Sequence, residues 1–201
     1  MISSSAMNLK LATLLSMFVF SYSQPAIRAA ADPAREGDEL LGKPAPQLQD
    51  LTWLNSPALS MKDLRGHVVL IRFWLIDCPY CKSTAPALNY LYDKYGKQGL
   101  VVIGVHHPKS DAARDLDRVR KGAGELGFKF PIATDDHWTT VNSYWLANNK
   151  RSYTSASFLI DKQGRIRWIH PGGEIRMEYG SAKLSEFENL EREIQILLAE
   201  Q

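Results

Sequence analysis

Cys78 and Cys81, the chain's two cysteines, stand three residues apart in Asp77-Cys78-Pro79-Tyr80-Cys81-Lys82. Two thiols at this spacing can exchange with an external disulfide if the first lies where its thiolate is favoured. The start of a helix is such a place, because its backbone N–H groups are unpaired and its macrodipole is positive there. Cys78 is then the attacking nucleophile, and Cys81, one turn on, is the thiol that resolves the mixed disulfide. Asp77 beside it opposes thiolate formation by like charge or, when protonated, offers a proton for transfer.

The elements that must position this pair are legible on both sides. His67 to Trp74 is a near-continuous apolar run, as expected of a strand covered on both faces. From Pro79 to about Tyr95, Leu88, Leu91, Tyr92 and Tyr95 recur at helical spacing before Gly96 and Gly99. Leu100 to Val105 reads as a second buried strand, and Leu48 to Leu54 as a short one near the start. Ser110-Asp111 is expected to cap a helix running to Gly127. A short strand at Phe130 to Ala133 and a helix at His137 to Leu146 follow. Ser157 to Asp161 and Arg165 to Ile169 form a hairpin around Gly164, and Lys183 to Leu198 closes the chain as an amphipathic helix. Strands alternating with helices and ending in a hairpin predict an α/β fold with a central mixed β-sheet flanked by helices.

The chain has 201 residues, enough for one domain with a full core. Its formal charge is +2, and removing Lys10 and Arg28 of the first 31 residues leaves 22 basic against 22 acidic side chains. That balance gives no electrostatic case for nucleic acid or an anionic membrane. Residues 1–31 read as a signal peptide: Lys10, then the apolar stretch Leu11 to Phe20, then Ala29-Ala30-Ala31. The stretch is shorter than the roughly 20 residues of a spanning helix, so cleavage and no stable membrane span are expected. Residues 32–42 read as a linker and 43–201 as the folded domain. In an oxidising compartment a cysteine pair is often a structural staple, but a Cys-x-x-Cys loop is too small to restrain the unfolded chain much. The composition favours a redox-active disulfide Cys78–Cys81 over a staple.

These residues resemble the thioredoxin-like fold and, within it, the exported TlpA/ResA-like thiol-disulfide oxidoreductases of the redoxin family. The resemblance rests on the strand ending Phe73-Trp74, the Cys-Pro-Tyr-Cys site, Pro86 five residues after Cys81, and Phe158-Leu159-Ile160-Asp161 with the Gly164 turn. It implies an N-terminal strand extension and a central helical insertion between Val105 and Tyr153. It also implies exported protein substrates with disulfides, a membrane electron donor for re-reduction, no bound cofactor, and periplasmic residence in a Gram-negative source. Trp74, Pro79, Tyr80, Thr154 and Ser155 make up the expected substrate-binding set, with Trp74 as wall and core beneath the dithiol. The chain departs from the family at three places. Ser155 stands where a cis-proline is usual, Asp77 where an aromatic residue is usual, and Thr84 and Arg72 where acids are usual.

Two other readings use the same residues. Cys78 and Cys81 could serve as soft ligands in a copper chaperone, although chaperones of the Sco type use a longer cysteine spacing and a histidine where this chain has Tyr153. The histidine pair His106-His107 points in two directions on a strand, so at most one of them faces a given site. A non-catalytic thioredoxin-like binding module with a vestigial dithiol is the other alternative. Peroxidase chemistry of the peroxiredoxin type would need a hydroxyl three residues before the reactive cysteine, where this chain has Leu75.

Overall fold

The longest apolar runs of the sequence become the centre of one sheet. The structure is a computed structural model that describes residues 35–146, 151–180 and 184–200. The expected signal segment 1–31 lies outside the described residues. In chain order the elements are β1 (Thr52–Trp53), β2 (Val68–Trp74), α1 (Pro79–Tyr95), β3 (Leu100–His106), α2 (Leu116–Glu125), β4 (Ile132–Thr134), α3 (Thr139–Val141), β5 (Ser157–Ile160), β6 (Ile166–His170) and α4 (Leu184–Ala199). The strands form one sheet in the order β1-β4-β3-β2-β5-β6. β2, β3 and β4 are parallel, and β1, β5 and β6 join antiparallel, so the sheet is mixed as predicted.

All seven residues of β2 are buried. Alternation along the strand sends Val68, Leu70 and Trp74 to the face covered by α1 and α4, where they pack with Leu88, Leu91, Leu190 and Ile194. Val69, Ile71 and Phe73 point to the other face, onto Tyr144, Trp145 and Phe158. Phe158 meets Phe73, Tyr144 and Trp145 edge to face at ring separations of 5.3–6.1 Å. These two cores fix β2, and with it the point at which the chain turns into α1.

Gly104 on β3 stands opposite Arg72 on β2. A Cβ there would come within 2.7 Å of Ile132 Cδ1 and 3.2 Å of Trp74 Nε1. Gly104→Ala is therefore expected to destabilise the fold by about 1–3 kcal/mol through overpacking. Denaturant midpoints of the two proteins measure this, and equal midpoints would show that β3 and β4 can separate without loss.

Four expectations need correction. The strand expected over Leu48 to Leu54 is only β1, because Asp50 takes a left-handed conformation with φ 52° and interrupts the extended chain. The helix expected from Ser110 to Gly127 is divided. Asp111–Arg114 is a short 3-10 turn, and Asp115, not Ser110, caps α2 by accepting the N–H groups of Asp117 and Arg118 at 2.9 and 3.2 Å. The helix expected over His137 to Leu146 begins only at Thr139, after Trp138 at φ 60°, and after α3 it widens into a π turn, Asn142–Leu146. Finally, the described part of the expected linker is not free chain. Asp38–Leu40 is a 3-10 turn, and Gly42 and Lys43 exchange backbone hydrogen bonds with Ile166 of β6.

Candidate active site: a dithiol at a helix start

Cys78 is the N-cap of α1, extended at φ −85° and ψ 117°, and Pro79 occupies the first helical position. The Cys78 sulfur accepts the Cys81 backbone N–H at 3.4 Å, the role a Ser or Asp oxygen plays at other N-caps. The two thiols differ sharply in exposure. Cys78 is half-buried at the surface, whereas Cys81 is 2% exposed on the buried face of α1 with Ala85, Leu88 and Leu91. Thr84, which replaces the acid implied by the resemblance, donates its hydroxyl to Tyr80 O at 2.7 Å and accepts the Ile175 N–H at 3.1 Å. It ties the first turns of α1 to the chain that follows β6.

The same geometry separates the two ionisations. The Cys78 thiol is lowered to about 6, first by the hydrogen bond from the Cys81 thiol, with help from the backbone N–H groups of Cys81 and Tyr80 and the Arg72 charge against some desolvation. Cys81 is pushed strongly upward by its bond to Cys78 and by burial. At neutral pH the exposed sulfur is the thiolate and the buried one carries the proton. Alkylation of reduced protein by iodoacetamide should follow a pH profile with its midpoint near 6, against about 8.5 for an unperturbed cysteine. A midpoint above 8 would mean that the cap does not activate Cys78.

A cleft of about 420 Å³ opens beside Cys78. Residues Leu75 to Tyr80 form one wall and Ser152 to Ser155 the other, with Lys109 at its edge. Pro79, Tyr80, Thr154 and Ser155, all expected at the site, are brought together here. Tyr80 and Tyr153 meet edge to face at 5.8 Å, and each is 42% exposed. Ser155 is buried, and the described residues contain no cis peptide, so Thr154-Ser155 is a trans bond. The Thr154 hydroxyl lies 2.9 Å from His107 Nε2. His106 packs against Trp74 instead, at 5.1 Å between ring centres. Burial holds both histidines neutral, His106 lowered to about 4 and His107 to about 3.

Two expected site residues have their side chains engaged in other contacts. Trp74 is 1% exposed and packs on His106 and Phe128, so it supports the dithiol from below and cannot touch a substrate. The Asp77 carboxylate is held by the Arg118 guanidinium through two contacts, at 2.9 and 3.0 Å, on the α2 side.

The structure also adds residues that the sequence reading did not place at the site. Arg151 stacks on Trp145 at 4.1 Å and pairs with Glu39, and Glu36 accepts the Ser152 N–H at 2.9 Å. Two acids from the expected linker thus hold the cleft wall. The other addition is Arg72, a buried charge in β2 on the face of α1. Its signal was in plain sight, a single cation inside an otherwise apolar strand.

Residues 41–169, well over half of the chain, match the AhpC/TSA family. The chain belongs to the AhpC/TSA family. Proteins similar to it include the thiol-disulfide oxidoreductase YkuV of Bacillus subtilis, 31% identical over 134 residues, which cover 66% of this chain and 86% of YkuV. The thiol-disulfide oxidoreductase ResA of Bacillus thuringiensis is 32% identical over 126 residues, 63% of this chain and 66% of ResA. Protein DipZ of Mycobacterium bovis is 39% identical over 132 residues, 64% of this chain, but the match spans only 18% of DipZ. Among solved structures, a thiol-disulfide isomerase from Corynebacterium glutamicum superposes with a TM-score of 0.61 at 26% identity, covering 78% of this chain and 98% of the isomerase. The fold of this AhpC/TSA member is thioredoxin-like, as the resemblance implied. Among its described residues no helix is long and apolar enough to cross a membrane, and no three His, Cys, Asp or Glu side chains gather as a metal site.

Proposed function

We propose that this chain is an exported thiol-disulfide oxidoreductase that reduces disulfides in other exported proteins. The observation that carries the reading is the half-exposed Cys78 sulfur, N-cap of α1 and lowered to about 6, at the mouth of a cleft with Cys81 buried behind it. The names of YkuV and ResA, relatives of comparable length, support the activity. The signal-like pattern of residues 1–31 supports export.

In the forward reaction the Cys78 thiolate attacks one sulfur of the substrate disulfide. The substrate S–S bond breaks, its other sulfur leaves as a thiolate, and a mixed disulfide forms at Cys78. Cys81 loses its proton to that leaving thiolate or to water and attacks the Cys78 sulfur. The Cys78–Cys81 bond forms and the second substrate sulfur leaves, so that two electrons have passed from the dithiol to the substrate. No cofactor takes part, and a membrane electron donor returns the two electrons. Tyr80, Pro79 and the Thr154-Ser155 segment border the substrate.

Peroxide reduction is disfavoured by Leu75, which offers no hydroxyl three residues before Cys78. The reading is tested by incubating reduced protein with a disulfide-bonded protein and by titrating the pair against glutathione. Substrate reduction with a potential between about −270 mV, that of thioredoxin, and about −200 mV supports a reductase. A potential near the −120 mV of DsbA would turn the assignment to disulfide formation, and copper binding tighter than exchange would favour the chaperone.

A further inference from the structure

Arg72 brings a permanent charge into the interior without an opposite formal charge to meet it. The residue is 1% exposed, and its parity in β2 places it on the α1 face with Leu70 and Trp74. Nη1 donates to Ser157 Oγ at 3.1 Å and Nη2 to Gly173 O at 2.7 Å. Both acceptors are neutral, and Nε has no partner. Among the described residues no carboxylate acts on the guanidinium, and the groups that favour its charge are Cys81 first and Cys78 after it. A buried ion without a counter-charge is costly, and guanidinium does not neutralise by losing its proton.

We propose that Arg72 is the buried counter-ion of the reduced dithiol, balancing its thiolate and favouring ionisation of Cys81 when the mixed disulfide must be resolved. This rests on the oxidoreductase reading and adds to it a positioning residue in the place of a proton acceptor. Before attack the negative charge resides on Cys78, and that sulfur keeps Cys81 protonated. Once Cys78 is bonded to a substrate sulfur it bears no charge, and this restraint on Cys81 is gone. Burial still opposes ionisation of Cys81, and the fixed charge of Arg72 then acts against it alone. Other titratable groups near the pair are paired, neutral or, like Lys82 and Lys109, exposed to solvent. Asp77 is bound to Arg118, Arg151 to Glu39, and His106 at the end of β3 and His107 just past it are uncharged. Lys109 stands at the cleft edge and Tyr80 and Tyr153 at its mouth, outside the buried face.

Stabilising the thiolate favours the reduced pair, so loss of Arg72 should make the protein more reducing. The test compares wild type, Arg72→Met and Arg72→Lys in three measurements. In Arg72→Met the equilibrium constant against glutathione should shift at least tenfold toward the disulfide form, about 30 mV by the two-electron relation. In a Cys78→Ala background the ultraviolet thiolate absorbance of Cys81, which needs no reagent to reach the buried sulfur, should have a midpoint one pH unit or more higher with Arg72→Met and return with Arg72→Lys. The melting temperature of Arg72→Met should fall in the reduced state and hold or rise in the oxidised state, where no thiolate needs a counter-ion. A merely structural arginine would lower both states alike and leave the potential in place. Equal losses in the two states, an unchanged potential, or an oxidised Arg72→Met that does not fold would each overturn the proposal. Wild-type protein that exchanges with no disulfide would instead remove the functional reading, a result distinct from any of these.

Discussion

Cys78→Ser should lose disulfide exchange by more than about a thousandfold, whereas Cys81→Ser should trap its substrate as a stable mixed disulfide. The asymmetry follows from burial. Cys78 is the reachable sulfur at the cleft, and Cys81, 2% exposed, can be approached only by a sulfur already bonded to Cys78. A serine at 78 still caps α1 with its oxygen, so the variant should fold normally and isolate the chemical defect. Non-reducing electrophoresis and intact mass with a disulfide-bonded substrate distinguish the two variants. Similar residual turnover in both would remove the division of labour between the sulfurs. An adduct on Cys78→Ser in place of Cys81→Ser would reverse it.

The second large effect is expected at Gly172, far from the cysteines in sequence. Gly172 has φ +125°, and a Cβ there would fall 2.2 Å from Tyr153 Cβ and 2.9 Å from its Cγ. Tyr153 cannot simply withdraw, because its carbonyl accepts the Trp145 indole N–H at 2.7 Å. Gly172→Ala combines backbone strain with a steric conflict and should cost about 2–4 kcal/mol. It should also push Tyr153 away from Tyr80 and slow exchange. Gly173→Ala is the control: it shares a positive φ of +80° but has nothing within 4 Å, so only the left-handed backbone cost of about 1–2 kcal/mol applies. Thermal melts and exchange rates of the pair check this. Equal melting temperatures for the two variants would show that the Tyr153 wall yields freely.

The sequence discloses the order of elements around the dithiol because the determinants there are local. A β-branched run, a proline after the first cysteine and apolar positions on one helical stripe place Cys78 and Cys81 at the start of α1, which extends over Pro79–Tyr95. The same reasoning weakens where one residue's side chain competes with its own backbone. Asp115 takes the cap from Ser110 in this way, and a positive φ at Asp50, which residue spacing does not signal, ends the extended chain before β1. It fails where function depends on what lies behind a residue. Arg72 is legible as a misplaced charge, but its nearness to Cys81 follows from strand parity and the packing of α1, which spacing alone does not give. Trp74 shows the converse, since an aromatic residue four positions before Cys78 is easily read as part of the substrate surface until its burial is known. The hold of Glu36 and Glu39 on the cleft wall is wholly non-local, joining residues more than a hundred positions apart.

The bonds that bring the residues before β1 onto β6 have a consequence for the company this protein keeps. An open sheet edge is a template on which foreign chains can add strands. Here one edge is β1, only two residues long, and at the other the Ile166 N–H and carbonyl are taken by Lys43 and Gly42, with Ala45 N donating to Gly164 O. Neither side presents a long row of vacant backbone groups. Edges this short or occupied guard the protein against edge-to-edge pairing with other chains.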